Sequence, residues 1–382
     1  MTAGPRNVNG DTTVRGVVLP KPASTVTIED LRLERPRAGE VQVRLLASGV
    51  CHSDLHLADG DWSSEGPVVL GHEGCGIVEE VGPGVDPAMR GRKVVLDWFT
   101  PCGACRSCLE GKRWTCSGTR ALENRLPDGT TRFRRADGAP VLPFLGLGTF
   151  SERTVVAART AIQIPDEVDA SVGALIGCSV STGVGAVLKT ARVPPGATIV
   201  VFGLGGVGLS VVMGASLAGA TTIVGVDRHD AKIELARQLG ATHGIIAADD
   251  PADTIEAAQQ TTNGGADFAF EAIGLSVTIE QTIQSVRSGG CAVLVGMTPL
   301  GIRASFDAFD VVDRSLRILG SNYGFAVGAL DFPRYAALHL AGRLPIERLI
   351  ERRISLGEIR EALAATRSGQ GARRVITFPD HG

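Results

Sequence analysis

The sequence predicts an α/β protein built in two parts: an antiparallel, barrel-like β domain over the first 180 or so residues, then a doubly wound parallel sheet. Three observations carry that expectation. The runs EVQVRLLASGV (40–50) and GCGIVEEVG (74–82) alternate apolar and polar residues and are broken by Pro and Gly, as half-buried antiparallel strands are. From residue 197 onward, short β-branched runs alternate with helical stretches, which implies right-handed crossovers and a sheet covered on both faces. At the head of that region Gly203-Leu204-Gly205-Gly206-Val207-Gly208 fits G-x-G-x-x-G, directly after one run and opening the next helix.

A chain of 382 residues is long enough for two domains, each with its own core. Hydrophobic residues make up 44%, charged residues 21% and the net charge is −3, which excludes a disordered polyampholyte and leaves no general attraction to nucleic acid. Residues 1–16 carry Arg6, Asp11 and Arg15 without an apolar run, so no signal peptide is expected and the protein is placed in the cytoplasm. Residues 193–226 hold no charge, a length that matches a membrane span. Pro194, Pro195 and the glycines divide that stretch into strand, turn, helix and strand, so no membrane is expected.

Six strands are expected at 197–202, 221–226, 244–247, 266–273, 291–296 and 316–321, with a helix from His229 to Leu239 stopped by Gly240. Residues Asn124 to Pro143, rich in Pro, Gly and Arg, read as a long exposed loop. After Tyr323 the pattern predicts one helix, Leu330 to Ala341, and a short strand at 373–378. In the glycine turn, the first glycine makes the bend, the second admits a pyrophosphate and the third lets helix and strand approach. Asp227 follows Gly208 by 19 residues at a strand end, where a carboxylate accepts from both ribose hydroxyls of NAD and repels the 2′-phosphate of NADP. Arg228 beside it is the residue that would tolerate a phosphate.

Dense cysteines in a chain without a secretory signal argue for metal rather than disulfides. Cys102, Cys105, Cys108 and Cys116 form C-x2-C-x2-C-x7-C, a set that closes a tetrahedron around Zn²⁺ with no open position; an iron–sulfur cluster is the competing reading. Cys51, His72 and Cys178 are two thiolates and an imidazole, which leave a fourth zinc position for water or substrate. Spacing alone does not join these three, and each taken singly also suits a buried core.

The segments GVCHSD (49–54), GHEGCG (71–76), CGACRSCLEGKRWTC (102–116), GCSVSTG (177–183) and GLGGVG (203–208) resemble, in order and across nearly the whole chain, the zinc-dependent medium-chain alcohol dehydrogenases. The resemblance implies a GroES-like β-barrel catalytic domain (1–180, with a structural-zinc lobe at 101–117), a Rossmann NAD-binding domain (181–322) and a C-terminal return to the catalytic domain (323–382). It implies two Zn²⁺ per chain: a catalytic ion on Cys51, His72 and Cys178, and a structural one on the four-cysteine set. Asp54 would orient His72, and Glu73 would assist ligand exchange. Ser53 and His56 match a proton relay from the alcohol to the surface. His52, Thr182, Val207, Lys232, Val295, Tyr323 and Arg373 match cofactor-contacting positions, beside Gly203, Gly205, Gly206, Gly208, Asp227 and Arg228.

Trp62, Trp98, Leu145, Met297 and Asn322 match substrate-pocket positions, and two indoles there favour a primary alcohol or its aldehyde. The alternative is a thiol-adduct formaldehyde dehydrogenase using glutathione or mycothiol, which the sequence also resembles at Pro127-Asp128-Gly129-Thr130 and Arg120. Trp62 and His56 depart from that branch, where an acidic residue and a tyrosine are expected. A non-catalytic nucleotide-binding member of the fold is a third reading, opposed by the complete ligand set. The long 120–144 segment resembles that of dimeric members, so a homodimer is expected.

Overall fold

A computed structural model describes residues 11–379, so the reading of the first ten residues lies outside the described residues. Thr12–Leu19, Thr27–Leu33, Phe133–Arg134, Pro140–Pro143 and Val68–Val69 close into a small barrel. Beside it lies a sheet in the order Ala161–Gln163, Lys93–Leu96, Glu73–Val81, Glu40–Gly49, Arg373–Thr377, Ile350–Ile354, with Arg153–Ala157 also paired to Glu40–Gly49. Alternation along Glu40–Gly49 buries Val41, Val43 and Leu45 in one cluster with Val78, Val94 and Leu96.

The expected exposed loop from Asn124 to Pro143 is corrected here. It contributes two barrel strands and buries Leu126, Arg132, Phe133, Val141 and Leu142. Two-residue and four-residue strands are too short to show a period, and the arginines that suggested solvent are paired. Arg132, fully buried, donates from Nε to Glu40 at 2.9 Å and reaches Asp128 as well.

The second part is a parallel sheet of six strands in the order His243–Ile246, Thr222–Asp227, Thr198–Phe202, Ala266–Glu271, Val286–Leu294, Arg317–Gly320. Each expected run forms a strand there, and residues 193–226 supply strand, helix Gly206–Ala218 and strand. The order reverses between Thr198–Phe202 and Ala266–Glu271, and such a reversal opens a crevice at the carboxyl ends of the strands.

One apolar helix, Ala170–Ala191, is long enough to cross a membrane, but 89% of its most apolar window is buried inside the protein. It widens into π turns at Ile176–Val180 and Ala186–Ala191, and it shares one core with residues of both parts. The tail holds a second helix, Ile359–Arg367, that the sequence reading did not expect, beside Gly328–Leu340. Arg373–Thr377 returns to the first part by pairing Val375 with Gly49.

Candidate metal and nucleotide site

Sheet register assembles the first site. Gly49 faces Glu73 on one side and Val375 on the other, so Cys51, His72 and Arg373 meet at one end of three neighbouring strands. Cys178 comes from the π turn of the long helix. One ligand atom from each of Cys51, His72, Glu73 and Cys178 lies within 4.8 Å of the others, and all four residues are buried.

Asp54 fixes this group: it accepts from the Cys51 and Gly71 N–H groups at 3.0 Å each, and its Oδ1 lies 3.4 Å from His72 Nδ1. That leaves His72 Nε2 buried without a hydrogen-bond partner among the described residues, as an imidazole reserved for a metal would be. The Cys178 hydrogen bond, with Arg373 and His72 nearby, holds the Cys51 thiol well below its ordinary value against burial, while Cys178 is pushed up by the same partnership. Burial opposes charge on His72, and Asp54 and Cys51 more than offset it, so its pKa rises. Burial lifts Glu73 to about 7 against the pull of Arg373. Two sulfurs and an imidazole nitrogen, with a carboxylate adjacent, form a donor set of the kind Zn²⁺ takes.

The second set is local. Cys102, Cys105, Cys108 and Cys116 bring their sulfurs within 4.8 Å of one another, with Cys105 Sγ 3.7 Å from Cys116 Sγ. Zn–S bonds of about 2.3 Å place tetrahedral corners about 3.8 Å apart, so the spacing fits one ion. Backbone N–H groups of Cys102 and Gly118 point at Cys116 Sγ, at 3.1 and 3.3 Å, and would stabilise a thiolate. All eight cysteines are free.

The glycine turn sits at the crevice. Gly203 has φ +89°, and a Cβ on Gly208 would stand 1.7 Å from the Gly203 carbonyl oxygen, so neither position admits a side chain. Gly205 faces open space. Asp227 accepts from the N–H groups of Leu204 at 2.8 Å and His229 at 3.1 Å, with Lys232 Nζ 3.8 Å away. Arg228 is exposed beside it.

Arg373 joins the two features. Its Nη2 lies 3.4 Å from Cys51 Sγ and 3.3 Å from Glu73 Oε1, while its Nε would be 2.6 Å from a Cβ on Gly206. That Nε is buried without a partner among the described residues, against the start of the helix. A buried guanidinium with a spare donor at a helix N-terminus is a fitting seat for a pyrophosphate.

The other expected residues have contacts of their own. Ser53 Oγ lies 3.9 Å from Cys51 Sγ, and His52 is exposed beside it. Thr182 and Val207 are half-buried, and the Thr182 carbonyl abuts Gly324, the neighbour of Tyr323. Tyr323 donates to the Gly177 carbonyl at 2.5 Å, and Val295 is buried at the end of Val286–Leu294. Trp98 tilts on Tyr323 with ring centres 4.6 Å apart. Leu145 is buried in the same cluster as Leu57, and Met297 is 56% exposed. Trp62 stacks on His56 at 4.8 Å, and Asn322 gives its amide to the Trp114 carbonyl. Arg120 is engaged by Glu123 at 2.8 Å.

Asp61 is a residue the sequence reading missed. Its Oδ2 accepts from His56 Nδ1 at 2.7 Å. The signal was present: His56 and Asp61 flank the glycine stop at Gly60, which turns the chain back toward the helix.

The chain is similar to known proteins along nearly its whole length. The family described as alcohol dehydrogenase GroES-like domain matches residues 37–166, and the family described as zinc-binding dehydrogenase matches 206–340. The chain is 35% identical to a class-3 alcohol dehydrogenase of Cereibacter sphaeroides, over 95% of this chain and 99% of that one. It is 34% identical to an S-(hydroxymethyl)glutathione dehydrogenase of Paracoccus denitrificans, over 95% and 99%. Among solved structures, benzyl alcohol dehydrogenase from Acinetobacter calcoaceticus superposes with TM-score 0.90 at 29% identity, over 96% of this chain and all of that one.

Proposed function

The chain belongs to the zinc-dependent medium-chain alcohol dehydrogenases, and on that premise we propose that it interconverts a primary alcohol and its aldehyde with NAD. The observation that carries the reading is the bridge made by Arg373, which touches Cys51 and Glu73 with one end and the glycine turn with the other. Metal donors and nucleotide turn are thereby parts of one centre.

When bound, Zn²⁺ supplies a Lewis acid for the alcohol oxygen and NAD supplies the hydride acceptor. Cys51, His72 and Cys178 would hold the ion, and Asp54 at Nδ1 leaves the imidazole Nε2 for it. Arg373 keeps Glu73 company in a site from which water is largely excluded, and it presents Nε to the pyrophosphate. Ser53 would accept the alcohol proton at Oγ while giving up its own hydroxyl proton, which His56 would carry outward. Asp61 holds His56 Nδ1, which leaves Nε2 as the position that accepts the proton. Asp227 holds the adenosine ribose and disfavours a 2′-phosphate.

An unconjugated alcohol is favoured over a thiol adduct by two placements. Arg120, the candidate anion-binding residue, is already paired with Glu123, and Trp62 lies on His56 where an acidic residue would serve an adduct. The test is a panel of alcohols and aldehydes with NAD and NADP, with and without a low-molecular-weight thiol. Activity with primary alcohols and NAD, independent of thiol, is expected; activity only with thiol present would select the formaldehyde dehydrogenase reading.

We also propose a homodimer in the cytoplasm. Leu300, Ile302, Phe306, Phe309 and Val312 are each half or more exposed and precede the sheet's edge strand Arg317–Gly320, a face suited to a second copy. Eight free cysteines, six of them in metal-donor groups, suit a reducing compartment. Light scattering checks the first, and cell fractionation the second.

A further inference from the structure

Glu271 is a fully buried carboxyl to which the proposed reaction gives no task. It ends the strand Ala266–Glu271, on one side of the crevice where the sheet order reverses. Its Oε1 accepts three hydrogen bonds, from the N–H of Ile273 at 2.9 Å, the N–H of Gly274 at 2.8 Å and the hydroxyl of Thr278 at 2.7 Å. Its main-chain oxygen accepts from Val295 at 2.9 Å and Gly296 at 3.0 Å, on the neighbouring strand's end. Oε2 has no partner among the described residues and lies against Gly296.

One residue thus ties together two segments that face the crevice. Ile273 reaches back over the nucleotide turn: a Cβ on Gly203 would stand 2.2 Å from its Cγ1. Ala272 leans on Gly208 in the same way, with 3.5 Å between their Cβ positions. Gly274 in turn rests against the backbone of Met297. Burying a carboxyl with a spare oxygen costs stability that an apolar side chain of similar size would not. Burial raises its pKa, and the surrounding donors pull it back only in part.

We infer that Glu271 is a positioning residue for the dinucleotide: it presets Ile273–Gly274 and Val295–Gly296 as the two lips of the crevice before cofactor arrives. Its weight then falls on cofactor affinity and not on the chemical step, because a preset wall removes an ordering cost from binding. The inference rests on the dehydrogenase reading above.

The experiment uses the full chain with Glu271→Gln, Glu271→Ala and Thr278→Val. NADH binding is followed by fluorescence, KM and kcat are measured for NAD and for an alcohol, and amide hydrogen exchange is followed in the cofactor-free protein. Glu271→Gln keeps Oε1 as the triple acceptor and should bind NADH within about threefold of wild type. Glu271→Ala should weaken NADH binding and raise KM for NAD at least tenfold, leave kcat at saturating NAD within threefold, and speed exchange at residues 272–275. Thr278→Val, which removes one donor, should show the same pattern at two- to fivefold.

Wild-type affinity in the Ala variant overturns the inference, as does a loss shared equally by kcat and the alcohol KM. If Glu271→Ala does not fold, unchanged affinity and exchange in Thr278→Val overturns it. Wild-type protein that binds no NADH overturns the dehydrogenase reading as well, which separates the two failures.

Discussion

The side-chain amide of Asn322 donates to the main-chain carbonyl of Trp114 across 3.0 Å. Trp114 also stacks on Phe325, ring centres 4.4 Å apart and planes 11° from parallel. The four-cysteine lobe is therefore seated on the turn Asn322–Phe325, and Tyr323 in that turn donates to Gly177, next to Cys178. A lobe 60 or more residues from Cys178 in sequence bears on its surroundings through three contacts.

Loss of the lobe metal should reach the reaction centre by that route. Cys108→Ser is expected to leave about one zinc per chain instead of about two, to shift tryptophan fluorescence and to lower thermal stability. Metal analysis with melting curves checks this; two zinc ions retained in Cys108→Ser would count against the site.

Arg132 and Glu40 are nearly fully buried and paired. Removing only the cation in Arg132→Met strands a buried carboxylate and should cost about 3–5 kcal/mol in chemical denaturation. Replacing both, with Glu40→Leu added, should recover a large part of that loss.

Cofactor choice should turn on charge at one position. Asp227→Asn keeps an acceptor for the Leu204 N–H and leaves Arg228 free to meet a phosphate. The ratio of kcat/KM for NAD over NADP is expected to fall about 10- to 100-fold, a change of roughly 1.4–2.8 kcal/mol.

His56→Ala should lower kcat about 10- to 100-fold, near the lower end of what a positioned acid–base group contributes. Added imidazole should restore part of the rate. Asp61→Asn is expected to lose less, since it keeps a polar partner at His56 Nδ1.

Burial lifts the Asp97 carboxyl from 3.8 to about 7, against the N–H donors of Phe99 and Gly328. An acid raised on folding is held protonated by the folded state, so its contribution is most favourable below about pH 4 and is lost as pH climbs toward 7. Asp97→Asn should flatten the decline in stability between about pH 4 and 7. Melting temperatures across that range test it; a steeper decline in the variant would contradict the assignment.

What sequence patterns convey and what they hide can be seen element by element. The six buried strands were legible because β-branched runs between glycines have few other uses. The four-cysteine set and the glycine turn were legible because each is local and its spacing carries geometry. Cys51, His72 and Cys178 became a group only through resemblance, since pairing of Gly49 with Glu73 and Val375 is a property of folded strands. The Asn124–Pro143 segment misled because polar composition does not reveal that Arg132 has a buried carboxylate waiting for it. Asp61 and Glu271 stayed hidden for the same reason: a carboxylate's partners are set in space.

The helix Ala170–Ala191 carries Cys178 and Thr182 on adjoining turns, and its core is shared by both halves of the protein. A chimaera that grafts a foreign nucleotide half at residue 180 would cut this rod between the metal donor and the cofactor wall. Exchange of halves should succeed only where the junctions fall beyond the rod's ends, near Asp169 and Arg192, so that donor and wall travel as one inherited piece.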